Sequence, residues 1–183
     1  GYITEPMTIV GDTDRTGTCV RFKPDPEMFT DTTVYDYETL HKRLREEAFL
    51  NAGLKITIED KREESADKEE KDRKDVLCYE GGIREFVTFL NTNKTPVHED
   101  VIYMSGKKDD AMAEIAMQYT DTYNEVIVSF ANNVHTPEGG MHEDGFKRAL
   151  TAALNKYGKK MNILKGDDKV SGEDCREGIS CVI

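Results

Sequence analysis

The hydrophobic residues of this 183-residue chain recur with the two periods that separate helices from strands. Apolar residues at helical spacing follow Asp36, a suitable N-cap, and predict a helix that Gly53 ends. Strict alternation predicts strands over residues 18–22 and 54–58, and extended character returns at residues 76–79. The first part of the chain is therefore predicted to mix short strands with one long amphipathic helix.

The later part of the chain shows the same two periods. Gly81 and Gly82 precede a short helical pattern, and alternation then predicts three strands in succession. A glycine-rich turn leads into a long amphipathic helix that begins at Glu143. The predicted strands cover residues 101–104, 113–119 and 126–130, with a further strand from Ile179. Three strands, a helix and a fourth strand predict an antiparallel-rich α+β layer.

A strongly charged segment interrupts this pattern. Residues 59–75 are almost wholly charged, with both signs mixed, and carry too little apolar surface to bury. Such a composition predicts a disordered or solvated loop rather than a binding tail. Because extended patterns stand on either side, we expect the loop to join the two strands of a hairpin.

Composition restricts the function. The formal net charge is −11, whereas a domain that captures DNA through its overall charge needs a basic face. Any contact with nucleic acid must therefore be local or indirect. The four cysteines contain no C-x-x-C pair, which argues against a zinc knuckle or redox dithiol and favours free thiols in the cytoplasm. No apolar run approaches the ~20 residues of a membrane helix.

His142 and Glu143 invite a comparison with zinc-binding helices. A zincin helix needs a second histidine at the position where Phe146 stands, so we predict no metal site. We expect His142 to shape the start of the helix and the acidic residues after it to favour the positive helix end. His41 and His98 are predicted to be exposed.

Five sequence blocks together resemble the DNA gyrase B family. They occur in the family's order and cover nearly the whole chain outside the charged segment. The blocks are residues 16–24 (TGTCVRFKP), 49–54 (FLNAGL), 79–86 (YEGGIREF), 132–150 (NNVHTPEGGMHEDGFKRAL) and 172–178 (GEDCREG). This resemblance implies a type IIA DNA topoisomerase with a GHKL-type ATPase, the enzyme that couples ATP hydrolysis to strand passage and negative supercoiling.

The resemblance also implies a domain organisation. Residues 1–75 would be the last elements of the GHKL ATP-binding lobe, and residues 76–183 most of a transducer domain. We expect an α+β fold with a mixed four-stranded sheet, helices on one face and a left-handed strand–helix–strand crossover, an exception to the usual right-handed rule. Both ends of the chain have the look of a fragment, with the last strand cut short.

The site residues are likewise implied by the resemblance. Thr18 would orient the water that reads adenine, and Val20 would line the apolar floor of that pocket. In the family the catalytic base, the Mg²⁺-binding asparagine and the phosphate-binding groups lie outside the matched blocks. We therefore expect ATP and Mg²⁺ in the full-length protein, but no catalytic residue, bound nucleotide or activity in this chain alone.

Partners follow from the same comparison: the gyrase A protein, DNA, and a second copy of the B protein on ATP binding, with no membrane. Lys147 and Arg148 belong to a local basic group on the long helix and are candidates to face DNA in the dimer cavity. The alternative is an ordinary solvated helix surface. Met141 and Thr122 depart from the family, which has threonine and glycine there, and the turn type at Thr122 is expected to differ.

Two other functions remain open at this point. The chain is also similar to the corresponding B protein of topoisomerase IV, although residues 79–83 (YEGGI) favour gyrase. A different class is a non-catalytic α+β interaction or RNA-binding module. The strong acidity and the lack of interleaved aromatic and basic residues argue against that class.

Overall fold

The computed structural model of the chain describes residues 4–62 and 73–183, and the chain divides into two units, Gly1–Asp36 and Tyr37–Ile183. In the first unit, described residues 4–36 form no helix or strand, and Val20 and Phe22 are 76% and 69% exposed. The predicted strand at residues 18–22 is therefore wrong. Alternation alone does not make a strand, because the backbone groups must also find a neighbouring strand, and no described strand pairs with this segment.

The second unit begins with the predicted helix, α1 (Tyr37–Leu50), which buries Ala48 and Phe49. Gly53 follows with a positive φ of 78° and donates its N–H to the Tyr79 carbonyl at 3.1 Å. Glycine adopts this left-handed conformation without steric cost, so the chain can turn away from the helix here. The predicted end of the helix is thus confirmed.

A two-stranded hairpin follows α1, with β1 (Ile56–Asp60) antiparallel to β2 (Arg73–Leu77). The hairpin itself was predicted, but its strands reach into the charged segment at both ends, and residues 63–72 lie outside the described part. The predicted loop boundaries, 59 and 75, were therefore wrong. Charged side chains are compatible with a strand whose outer face meets solvent, so composition misplaced the ends. The domain boundary predicted after residue 75 falls inside β2.

The main sheet contains four strands, and two helices pack against it. Its elements are α2 (Ile83–Leu90), β3 (Ile102–Lys108), β4 (Ala111–Tyr119), β5 (Val126–Val128), α3 (Met141–Lys160) and β8 (Ile179–Val182). The strand order is β3, β4, β8, β5; β3–β4 and β4–β8 are antiparallel, whereas β5 and β8 are parallel. The predicted mixed four-stranded sheet is confirmed. The chain passes from β5 through α3 to β8, and the left-handedness of this crossover stays a prediction.

Helices cover both faces of this sheet. Ala116 and Val182 pack with Phe86 of α2 in one buried cluster. The adjacent strand residues Met117 and Cys181 pack with α3 in another, which contains Phe146 and Leu150. Successive strand residues point to opposite faces, so the two clusters lie on opposite sides. Our expectation of helices on one face was wrong, because the central strand β8 is buried on both sides and needs cover on both.

A small hairpin connects the sheet to α3. Strands β6 (Phe130–Ala131) and β7 (Val134–His135) are antiparallel, and only Asn132 and Asn133 join them. Both asparagines have positive φ, 49° and 65°. A two-residue turn of this conformation matches the twist of the flanking strands, and asparagine tolerates it well. The conformation of this turn therefore explains why asparagine stands at both positions.

In the described part of the chain, no helix combines the length and the apolarity that crossing a membrane requires.

Candidate functional site

The start of α3 is fixed by a buried hydroxyl. Ser129, only 2% exposed, donates from Oγ to Glu143 Oε2 at 2.7 Å. Thr136 Oγ1 donates to the Ser129 carbonyl at 2.8 Å and also lies 3.2 Å from His142 Nε2. These contacts join the end of β5, the segment after β7 and the first turn of α3. His142 thus takes part in shaping the helix start, as the sequence predicted.

A chain of ion pairs continues from Glu143. Lys147 Nζ lies 2.8 Å from Glu143 Oε1 and 3.0 Å from Glu125 Oε1. Arg176 donates from Nε to the other oxygen of Glu125 at 2.8 Å. The two acids and two bases therefore form an alternating network, which we call the Glu143–Arg176 network: Glu143, Lys147, Glu125 and Arg176. It ties the residue before β5 and the connection between α3 and β8 to the helix.

The network shifts the pKa values of its members. Burial acts to raise the pKa of Glu143 and of Glu125, but hydrogen bonds outweigh it and bring both below their ordinary value. Lys147 and Ser129 donate these bonds to Glu143, and Arg176 and Lys147 donate them to Glu125. The hydrogen bond to Glu143 is the main cause that raises the pKa of Lys147. These opposite shifts mean that each charge stabilises its neighbour in the ionised form.

A basic groove lies on the outer side of α3, with a cavity volume of about 570 Å³. Its second wall is the segment around residues 169–172, which Asn155 fastens to the helix. Asn155 donates to the Val170 carbonyl and accepts from the Val170 N–H, both at 2.9 Å. The basic residues that line the groove are Lys147, Arg148, Lys156, Lys159, Lys169 and Arg176.

The two residues predicted to face DNA therefore differ in their surroundings. Lys147 lines the groove, but its ammonium group is held by two carboxylates and its side chain is only 28% exposed. Arg148 also lines the groove and is exposed, with no ion pair to a described residue. A contact of either residue with DNA stays a prediction, and the geometry favours Arg148.

Thr18 and Val20 lie in the first unit, where both are exposed and neither belongs to a strand. Exposed side chains such as these do not by themselves enclose a purine ring. An adenine pocket would need walls from other parts of a larger protein. Their role in nucleotide binding therefore stays a prediction.

His41 and His98 take part in hydrogen bonds that support the fold. Among the described residues, no group of three or more His, Cys, Asp or Glu is placed to hold a metal ion. His41 and His98 were expected to be exposed, and this was wrong. His41 Nε2 lies 2.6 Å from Asp75 Oδ2, and His98 Nε2 accepts the Tyr119 N–H at 3.0 Å. Both rings are only partly exposed, because each forms a hydrogen bond with a residue distant in the sequence.

The structure also connects α1 with the β6–β7 hairpin. Asn133 Nδ2 donates to Asn51 Oδ1 at 3.2 Å, and Arg43 Nη1 lies 3.2 Å from His135 Nδ1. Sequence reasoning missed these contacts and the roles of Glu125, Asn155 and Lys169. Only the Glu143–Lys147 pair could have been predicted from local sequence, because residues four apart on a helix are neighbours. The other partners are too distant in sequence for spacing to reveal them.

Solved structures with the same fold define the class of protein. The 43K ATPase domain of Thermus thermophilus gyrase B, crystallised with an aminocoumarin, aligns with a TM-score of 0.71 and 32% identity. The alignment covers 88% of this chain and 42% of that one. Gyrase B from Myxococcus xanthus shares the fold, with a TM-score of 0.65 and 21% identity over 83% of this chain and 40% of that one. The fold is therefore that of gyrase B ATPase domains.

Sequence comparison then gives the family. The DNA gyrase B family model matches residues 82–183, more than half of the chain. The gyrase B protein of Staphylococcus epidermidis is 55% identical over 95% of this chain, and that of Bacillus mycoides is 51% identical over 100% of it. The chain belongs to the DNA gyrase B family. It spans 26% and 44% of the length of these two relatives.

Proposed function

We propose that this chain is the part of an ATP-driven type IIA topoisomerase that relays ATP binding and hydrolysis to DNA strand passage. The product of the whole enzyme would be negatively supercoiled DNA. The observation that carries the proposal is the family match over residues 82–183, the region that contains the whole four-stranded sheet and α3. The local basic groove in an otherwise acidic chain agrees with a DNA partner.

The whole protein would work in the cytoplasm with ATP, Mg²⁺, the gyrase A protein and a second copy of itself. Thr18 and Val20 would contribute to the adenine pocket, and Lys147 and Arg148 would lie near DNA. The catalytic base and the groups that hold Mg²⁺ and the phosphates would come from parts of the protein outside this chain.

The contacts of α3 support a mechanical role. Residues 37–183 form one unit, so α1, the β6–β7 hairpin and the sheet are packed together. The hairpin contacts α1 through Asn51 and Asn133, and the Ser129–Glu143 hydrogen bond fixes the start of α3. A displacement of α1 would therefore reach α3 through direct contacts rather than through a flexible linker.

The test uses the intact protein that contains this chain, reconstituted with the gyrase A protein. We expect ATP-dependent negative supercoiling of relaxed plasmid, measured by gel electrophoresis. Thr18→Val should raise the KM for ATP about tenfold, because one hydrogen-bonded water contact to adenine is lost. Thr30→Val, which changes another exposed threonine of the same unit, should leave the KM unchanged.

Two results would count against the proposal. A reconstituted enzyme that decatenates and relaxes DNA but introduces no negative supercoils would favour the B protein of topoisomerase IV. An equal effect of the two threonine substitutions would remove Thr18 from the nucleotide pocket while leaving the topoisomerase assignment intact.

A further inference from the structure

We propose that Lys94 is a site of acylation by small acyl phosphates, and that acylation opens a polar clasp between the segment after α2 and the central strand β8. The polar clasp consists of Asn91, Lys94, Gln118 and Ser180. The inference goes beyond the function proposed above, because it rests only on contacts and burial within this clasp.

The polar clasp lies on the face of the sheet that α2 covers. Val182 packs with α2, and Ser180 lies two residues before it on the same face of β8. Lys94 Nζ donates to Ser180 Oγ at 2.8 Å, and Asn91 Nδ2 donates to Gln118 Oε1 at 3.0 Å. Side chains that follow α2 therefore hold two neighbouring strands, β8 and β4.

The lysine of the clasp has no carboxylate to balance its charge. Lys94 is partly exposed and forms no ion pair with a residue in the described ranges, 4–62 and 73–183. Burial without a counter-ion disfavours the ammonium form, and it lowers the pKa of Lys94. Near neutral pH, a larger share of this side chain is therefore the neutral, nucleophilic amine than at a fully exposed lysine.

The hydrogen-bond partner does not hold the lysine in its charged form. A serine hydroxyl accepts a hydrogen bond from an ammonium group and can also donate one to a neutral amine. A carboxylate at the same place would instead favour the ammonium form. Ser180 is completely buried, so a reagent cannot reach its hydroxyl. The accessible nucleophile of the pair is the amine of Lys94.

The hydrogen bonding of the clasp is incomplete. Asn91 is only 5% exposed, and its Oδ1 is buried without a hydrogen-bond partner among the described residues. A buried acceptor that lacks a partner costs stability. The clasp therefore opens at a lower cost than a fully satisfied polar network would, and each opening exposes Lys94 to a small reagent.

The charged groups of the surrounding elements are directed elsewhere. α2 carries its titratable residues in its first turn, and Tyr119 of β4 and Cys181 of β8 face the other side of the sheet. In the adjoining loops, His98 Nε2 accepts the Tyr119 N–H at 3.0 Å, and Asp121 accepts a backbone N–H at 3.3 Å. Burial is accordingly the cause of the lowered pKa of Lys94.

The proposed step is a substitution at the acyl carbon. The lone pair of the neutral Lys94 amine forms a bond to the carbonyl carbon, and the bond from that carbon to the phosphate oxygen breaks. The phosphate leaves with this bonding pair, and the proton displaced from nitrogen passes to it through solvent. The product is a neutral amide, and the step needs no oxidant or reductant.

Acylation changes the lysine where the clasp closes. The ammonium group can donate in several directions, whereas the amide keeps a single N–H and carries added bulk next to buried Ser180. We expect the hydrogen bond between Lys94 and Ser180 to be lost. The segment of residues 91–98 should then separate more often from β8.

The first experiment treats the intact protein that contains this chain with acetyl phosphate and follows each lysine by peptide mass spectrometry. Lys55 and Lys108, both exposed, are the internal references. At about pH 7.5, Lys94 should react about threefold faster than either reference, and its rate should reach half of its maximum at a lower pH. A slower reaction at this pH, or a midpoint equal to or above that of the references, would overturn the proposal.

A denatured control separates the fold from the local sequence. In about 8 M urea the chain is unfolded, and the three lysines should react at similar rates. A preference for Lys94 that survives in urea would show that the neighbouring residues in the sequence, and not the clasp, determine its reactivity. That result would also overturn the proposal.

The second experiment tests whether acylation opens the clasp. Hydrogen exchange is measured by mass spectrometry on peptides that cover residues 91–98 and β8. Acetyl phosphate treatment and the variant K94Q should each speed exchange in both peptides by at least about threefold. K94R keeps the charge and cannot be acylated in this way, so treated K94R controls for acylation of other lysines. Unchanged exchange in the treated protein would refute the opening.

The variant S180A tests the partner in the clasp. If acylation acts through the Lys94–Ser180 hydrogen bond, K94Q should speed exchange by less than about half as much in the S180A background as in the unmodified protein. Equal effects in the two backgrounds would remove Ser180 from the proposal. None of these measurements uses enzyme activity. A protein that supercoils DNA without preferential acylation at Lys94 would refute the site and leave the proposed function standing.

Discussion

At the scale of single residues, Gly178 shows how a close approach between two backbone segments can restrict a position to glycine. It precedes β8 with a positive φ of 74°, and its carbonyl accepts hydrogen bonds from both the N–H and the hydroxyl of Thr120. A Cβ at this position would lie 2.5 Å from the carbonyl oxygens of Thr120 and Thr122. Both atoms belong to the backbone, so they cannot move aside as a flexible side chain could.

Substitution of this glycine should therefore be costly. Gly178→Ala is expected to lower the free energy of unfolding by about 2–4 kcal/mol, because steric overlap adds to an unfavourable φ. The measurement is urea denaturation followed by circular dichroism. Gly145→Ala is the matched control, since Gly145 lies inside α3 with open space around its Cα, and there alanine should stabilise by about 0.5–1 kcal/mol. The same sign for both variants would contradict this account.

At Thr122, by contrast, a side chain larger than the glycine of the family fits the turn. The family pattern has glycine here, and the sequence led us to expect a different turn type. Thr122 is not among the described residues with positive φ, and its hydroxyl lies 2.9 Å from that of Thr120. A β-branched residue is therefore accommodated without strain, and it adds a hydrogen bond that glycine would lack.

At the scale of elements, both apolar and polar contacts hold α3 in position. Phe146 and Leu150 pack on the sheet, whereas Leu154 and Tyr157 are 38% and 57% exposed. Only the first half of the predicted apolar face is therefore covered. The Glu143–Arg176 network holds the same half of the helix, so both kinds of interaction act near its N-terminus.

This arrangement predicts a pH dependence. The folded-state pKa of Glu143 lies below its ordinary value, so its contribution to stability is complete above about pH 4.3 and is lost as pH falls through the lowered folded pKa. Glu143→Gln should lower the free energy of unfolding by about 1 kcal/mol at neutral pH, and the difference from the unmodified chain should shrink as the pH falls from neutral to below about 4. Urea denaturation across this range measures it.

The control for this experiment is Glu138→Gln, which changes an exposed acid in the loop before the same helix. It should have little effect at any pH in the range. A constant difference between Glu143→Gln and the unmodified chain from neutral to acidic pH would indicate that the packing of the glutamate side chain, and not its charge, stabilises the helix.

The elements show where sequence reasoning succeeded. Helices α1, α2 and α3 were predicted because each carries several apolar residues at helical spacing. The strand at residues 18–22 failed because a strand is completed by a partner that the pattern does not contain. The boundaries of β1 and β2 failed because charged residues are excluded from a core but not from the exposed face of a strand.

At the scale of the whole molecule, we expect the isolated 183-residue chain neither to hydrolyse nor to bind ATP. Thr18 and Val20, the residues implied for the adenine pocket, are exposed, and we expect the catalytic groups to lie outside this chain. A coupled assay with and without DNA should show no turnover above buffer, and calorimetry at about 0.1–1 mM nucleotide, within the range of ordinary KM values, should show no binding. Turnover that survives repurification would contradict the prediction, and the intact protein is the positive control.

The periods and the spaced blocks of the sequence determined the α+β class, the mixed sheet and the family, because these depend on local patterns and on the order of motifs. The tertiary structure decided that helices cover both faces of the sheet, that Lys147 is neutralised while Arg148 is free of ion pairs to described residues, and that Lys169 comes to face α3. The physical reason is that burial, ion pairing and steric approach are properties of residues brought together from distant positions, and no local period encodes which residues will meet.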